Sequence, residues 1–122
     1  MTPSQANTLP KEQRLHGKTK IAKLISSGKW GSTEHLKYCW LRSSEDSPAR
    51  IMVSVSKKFF KRAVKRNLLK RRIREAYRTQ KSLLPEQSGI NILFSYSCKE
   101  LLDYSVIRTE VAEILTRLAK KH

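Results

Sequence analysis

No run of apolar residues in this 122-residue chain approaches the ~18 to 20 that a membrane-spanning helix needs. The opening residues, MTPSQANTLPKEQR, lack the apolar core of a signal peptide, so the chain is expected to act in the cytoplasm, with no membrane partner. Cysteine is scarce. Cys39 and Cys98 stand far apart, in no CxxC or Cys/His spacing, which excludes a disulfide framework or a zinc site as the organising device. Both are read as small buried or half-buried side chains. Glycine is scarce too, and Gly17, Gly28, Gly31 and Gly89 are too scattered to build a phosphate-cradling loop. His16, His35 and His122 are distant from one another and are read as surface or strand-edge residues. Glu45 and Asp46 are adjacent, but in a Ser-rich turn they are read as solvated. Catalysis by the polypeptide would need an acid, base, nucleophile or metal constellation, and none is found; no cofactor held by protein ligands is expected.

The scarcest commodity is negative charge. Lys and Arg number 26 against 10 Asp and Glu, a formal charge of +16 with a pI near 10.3. Such an excess recruits polyanions, and nucleic acid before an acidic membrane. Twelve of the cations fall in Lys57 to Lys81, KKFFKRAVKRNLLKRRIREAYRTQK, with Glu75 as the only acid, so this stretch holds +11 of the total. On a helical wheel Asn67, Lys70, Arg71, Arg74, Arg78 and Lys81 share one arc, opposite Leu69, Ile73, Ala76, Tyr77 and Leu84. Like charges at i, i+3 and i+4 cost an isolated helix a few tenths of a kcal/mol per pair, and a phosphate backbone offsets that cost. Pro85 ends the helix before a zipper heptad can follow, flanking strands argue against a helix-turn-helix protein, and the apolar stripe offers only Tyr77 to a membrane surface. A structured RNA is the partner that fits.

The chain reads as a flexible lead-in, Met1 to Pro10, followed by one RNA-binding domain over residues 11–122. Periodicity predicts a short amphipathic helix at Lys18 to Ser27, stopped by Gly28, then a loop at Lys29 to Ser32. Glu34 to Arg42 alternates as a strand, with Leu36, Tyr38 and Trp40 on one side and His35, Lys37 and Cys39 on the other. Across the polar turn Ser43 to Pro48, Ile51 to Ser56 is a second strand, expected to form an antiparallel hairpin with the first. The basic helix is expected from Lys61 or Arg62 to Leu84. Ile90 to Tyr96 is a strand buried on both faces, joined to the second strand by a crossover. A last helix, capped by Asp103 or Ser105, carries the stripe Val106, Ile107, Val111, Ile114, Leu115, Leu118. The fold class is therefore α+β, an α-β-β-α-β-α two-layer sandwich on a small mixed sheet.

The run SVSKK at Ser54 to Lys58, followed by AVKRNLLKRRIREAY at Ala63 to Tyr77, resembles the protein subunit of bacterial ribonuclease P. The flanks agree in outline, from Arg14 and Leu15 through Gly28 to the terminal helix, over about residues 9–120. The resemblance implies a left-handed crossover between the parallel strands, against the usual hand. It also implies a role without protein catalysis: a large RNA subunit, with bound Mg²⁺, removes the 5′ leader of precursor tRNA. The protein assists by binding that leader and the catalytic RNA, with no obligate protein partner. A ribosomal or other structural RNA-binding protein of related fold is the alternative.

Carried onto this chain, the resemblance makes Lys57, Lys58, Arg66, Asn67, Lys70, Arg71 and Arg74 RNA-binding positions. The third motif position holds Leu68 instead of Arg, with Arg72 or Arg62 as substitutes. Phe59 and Phe60 replace an apolar residue and a Gly in the linker. The family's leader cleft, between the first helix and the sheet, would here involve Ile21, Ile25, Lys37 and Cys39, none of them aromatic. Either the strand register is shifted by one, turning Tyr38 and Trp40 into the cleft, or Tyr38 and Trp40 are core and the leader is held by charge and shape.

Overall fold

The computed structural model describes residues 18–42, 48–85 and 89–120. The expected lead-in, Arg14, Leu15, His16, the Glu45 and Asp46 turn and His122 lie outside the described residues.

Lys18–Ser27 forms α1, as its periodicity predicts. Gly28 ends it by a close approach: its N–H donates to Leu24 O at 2.8 Å, and a Cβ there would stand 2.5 Å from Cys39 Sγ. The next residues depart from expectation. Lys29–Ser32 is not a loop but an edge strand, β1, paired antiparallel with β2, Leu36–Arg42. A four-residue strand is too short to show a period, which is why the pattern misses it.

Arg50–Val55 is β3, and Ile90–Tyr96 is β4. The expected hairpin between β2 and β3 does not form, because β4 lies between them in the order β1-β2-β4-β3. It runs antiparallel to β2 and parallel to β3. The physical reason lies in β4 itself: Ile90, Ile92, Phe94 and Tyr96 are buried on one face and Leu93 on the other, and a strand with buried side chains on both faces suits a central place.

The basic helix, α2, spans Ala63–Gln80 and closes in a 3-10 turn at Lys81–Leu83 before Pro85. The last helix, α3, is Tyr104–Lys120. Both pack on one face of the sheet, where Leu69, Ile73 and Tyr77 meet Ile107, Val111, Ile114 and Leu118 over Leu36, Tyr38, Trp40, Ile92 and Phe94. Val106, placed by pattern in the apolar stripe, is exposed. On the opposite face, α1 seals a smaller cluster of Leu24, Cys39 and Leu93, flanked by Ile21, Leu41 and Met52. The described residues thus form a mixed α+β sandwich of sheet and paired helices, with α1 on the remaining face.

Tyr38 and Trp40 are core residues, 5% and 9% exposed, so the strand register is not shifted. Gly31 lies opposite Tyr38, and a Cβ there would meet the Tyr38 ring at 2.5 Å, which keeps that position free for the ring to cross.

Candidate nucleic-acid interface

α2 buries Leu69, Ile73, Ala76, Tyr77 and Gln80 and turns the rest of its circumference outward. Asn67 and Arg71 are exposed, and Lys70, Arg72 and Arg74 are half-buried on the flanks of that outward face. Lys57, Lys58 and Arg62 are exposed at the entry to the helix. Arg62 is its N-cap and makes no side-chain cap, and no acidic residue occupies the first turn. Lys61, Arg62, Lys65 and Arg66 therefore crowd the positive end of the helix dipole, where a bound anion is stabilising and a cation is not. Electrostatics at this end of α2 favour a phosphate.

The cations are not equivalent. Arg66 folds back, and its Nη1 donates to the carbonyls of Phe60 and Lys61 at 2.8 and 2.7 Å. It thereby pins the linker, whose Phe60 is buried and packs edge-on against Tyr96 at 5.8 Å. The two phenylalanines that break the expected linker pattern thus fasten it to the core. Arg72 donates through Nη1 to the carbonyl of Leu102, tying α2 to the segment before α3. Leu68 lies on that same flank, half-buried. Arg78 is paired with Glu75, whose carboxylate accepts its Nε at 3.0 Å; the pairing holds the Glu75 carboxyl below its usual range. What remains open to a ligand at the crown of the helix is Asn67, Arg71 and the flanking Lys70.

A second surface lies on the α1 face of the sheet. The register places Trp30, Cys39, Leu93 and Met52 in one row across the four strands, and Ser32, Lys37, Ser95 and Ser54 in the next. α1 covers Cys39 and Leu93 of the first row through Leu24 and leaves Trp30 open. The second row is polar, with Ser32 and Lys37 exposed and Ser54 and Ser95 half-buried. It ends at Ser54, just before Ser56, Lys57 and Lys58, so it leads toward the N-terminus of α2.

Of the residues expected in this cleft, Lys37 and Ile25 are exposed and Ile21 is half-buried. Cys39 faces the right way but is fully buried, its thiol donating to Leu24 O at 3.2 Å, and burial pushes its pKa up. It is floor, with no surface left to offer. Sequence reasoning missed Trp30, 54% exposed on β1, because the segment was expected to be a loop. It also missed Glu110, buried on α3 and bonded to Thr33 and His35. Among the described residues, no group of three or more His, Cys, Asp or Glu is placed to hold a metal ion, and no helix is long and apolar enough to cross a membrane.

Comparison with known proteins gives one consistent answer. The family model Ribonuclease P matches residues 9–119. A Ribonuclease P protein component of Chlorobium phaeobacteroides is 34% identical over an alignment covering 94% of this chain and 90% of its own. One from Porphyromonas gingivalis is 35% identical, covering 98% and 92%. Among solved structures, the RNase P protein from Thermotoga maritima superposes with a TM-score of 0.74 at 26% identity, covering 85% of this chain and 96% of its own. The Staphylococcus aureus RNase P protein, at 23% identity, shares the fold with a TM-score of 0.75, covering 90% and 97%.

Proposed function

The chain belongs to the bacterial ribonuclease P protein family, and from that premise we propose that it assists a catalytic RNA in removing the 5′ leader of precursor tRNA. As a Ribonuclease P protein component by family, it is a subunit of an RNA-processing endoribonuclease and a partner of the RNase P RNA. The finer reading is that the protein binds both the catalytic RNA and the single-stranded leader, in the cytoplasm, while bond cleavage is carried out on the RNA. On this reading Mg²⁺ is held by RNA ligands.

The observation that carries this reading is the uncapped, acid-free start of α2, with Lys57, Lys58, Arg62 and Lys65 clustered beside it and continuous with the polar row of the cleft. A phosphate chain crossing from one surface to the other meets cations and hydroxyls throughout. The test is binding. Assembled with a bacterial RNase P RNA, the protein should raise affinity for precursor tRNA carrying a 5′ leader more than for mature tRNA lacking it. Equal affinity for the two would remove the leader from the account, and failure to bind the RNA would remove the account.

A further inference from the structure

Trp30 is the largest exposed aromatic surface among the described residues, and nothing in the fold accounts for it. It sits on β1, the edge strand, directly opposite Cys39. Residues directly opposite in an antiparallel pair project to the same face of the sheet. Cys39 projects toward α1, so Trp30 does as well, yet it stands outside the cluster that α1 seals and is 54% exposed. Its neighbours Lys29 and Gly31 project the other way; Lys29 lies 5.4 Å over the ring of the buried Trp40. The chain therefore places its two tryptophans on opposite faces of one sheet, one in the core and one in the open.

The strand that carries Trp30 is held firmly. Arg117 of α3 donates to Ser32 O at 2.8 Å, and Glu110 accepts from Thr33 Oγ1 and, at 2.8 Å, from the His35 amide. A bulky indole on a pinned edge strand has few states to lose on binding, which is what a stacking surface needs. Diagonal to it stands Lys37, exposed, in the row that runs from Ser32 through Ser95 to Ser54. An aromatic face beside a cation and a line of hydroxyls suits an unpaired nucleotide, whose base stacks while its phosphate is met by charge.

We propose that Trp30 is the base-stacking platform of the cleft, taking an unpaired base of single-stranded RNA while Lys37 meets the adjoining phosphate. The inference rests on the reading of this cleft as leader-binding and adds the residue that gives it an aromatic contact. It locates across the strand the ring that the Cys39 position lacks.

The chain has two tryptophans, so Trp40→Phe leaves Trp30 as the sole indole reporter. In holoenzyme assembled from this variant and a bacterial RNase P RNA, adding precursor tRNA with a 5′ leader should quench Trp30 fluorescence, and mature tRNA should not. In the otherwise unaltered protein, Trp30→Ala should weaken precursor binding by about 5- to 150-fold, the span of one base–aromatic stack, and leave mature tRNA binding unchanged. Trp30→Phe should retain most of the affinity and Trp30→Leu should lose it, which separates stacking from apolar contact and replaces the alanine variant if that one misfolds. If leader discrimination persists in Trp30→Ala and Trp30→Leu, the platform is disproved while the leader reading stands. If the unaltered holoenzyme shows no discrimination, both fall. A quench that grows with protein concentration alone, without RNA, would assign Trp30 to pairing between copies and overturn the proposal.

Discussion

The carboxylate of Glu110, buried on α3, lies 2.6 Å from Nδ1 of His35 at the mouth of β2, two residues that are 75 positions apart in the chain. Its other oxygen accepts from the His35 amide and the Thr33 hydroxyl, so one side chain ties the turn between β1 and β2 to α3. Glu110→Gln should cost about 1 to 3 kcal/mol, because it forfeits the ion pair and leaves buried partners poorly matched. Chemical denaturation of the free protein measures this directly. The variant should also loosen the strand that displays Trp30, seen as a larger tRNA-affinity loss when both changes are combined than either gives alone.

The same pair sets a pH dependence. Its hydrogen bond to Glu110 raises the His35 pKa above 6.5, with smaller help from Glu34 and Glu100. A raised folded value stabilises below the unfolded pKa, and the benefit is lost as pH rises through the folded one. For Glu110, burial pushes the pKa up, but hydrogen bonds from Thr33 and His35 outweigh it and hold the value below 4.5. That contribution is present above 4.5 and is lost as pH falls through the depressed value. The pair therefore contributes most between about pH 4.5 and 6.5. Thermal melts across that window should show a maximum in the difference between the unaltered protein and His35→Ala; a flat difference contradicts the pairing.

Arg66 and Arg71 should separate by phenotype. Arg66 is bound to the linker carbonyls of Phe60 and Lys61, whereas Arg71 is exposed at the crown of α2. Arg66→Ala should lower unfolding free energy by about 1 kcal/mol as well as weaken RNA binding. Arg71→Ala should leave stability within ±0.5 kcal/mol and weaken binding alone. Loss of stability in the second variant and not the first would reverse the assignment of clamp and contact.

Salt should report how many phosphates are met. With about five contacts, log affinity for the RNA should fall against log salt with a slope near −4. Leu68→Arg adds a cation on the flank of α2 next to Arg72, and should steepen the slope by about 0.7 to 0.9 if a phosphate passes there. An unchanged slope would show that the RNA does not reach this flank and that its leucine costs nothing.

The elements of this fold were legible where periodicity is long enough to speak. α1, α2, β4 and α3 follow from the spacing of Leu24, of Leu69, Ile73 and Tyr77, of the INILFSY run, and of Ile107 to Leu118. The sheet order was not legible, because it depends on pairing between strands remote in sequence. The expected β2–β3 hairpin failed for that reason, since β4, distant in sequence, inserts between the two. β1 is short and half polar, so Trp30 stayed hidden in an apparent loop. On α2 the wheel separates buried from outward residues, but only the folded chain shows that Arg66, Arg72 and Arg78 are tied to Phe60, Leu102 and Glu75. Glu110 gave no signal in the sequence, since its partners are brought to it only by the packing of α3 on the β1–β2 turn.

The central claim is that this protein acts through RNA binding while the chemistry resides on RNA, and cleavage itself tests it most directly. Precursor tRNA with a 5′ leader is incubated at low Mg²⁺ with a bacterial RNase P RNA alone, with this protein alone, and with both. The account predicts a large gain in the rate of leader removal for the mixture over RNA alone, and no cleavage by the protein by itself. Cleavage by the protein alone, or a mixture no faster than RNA alone, would contradict it.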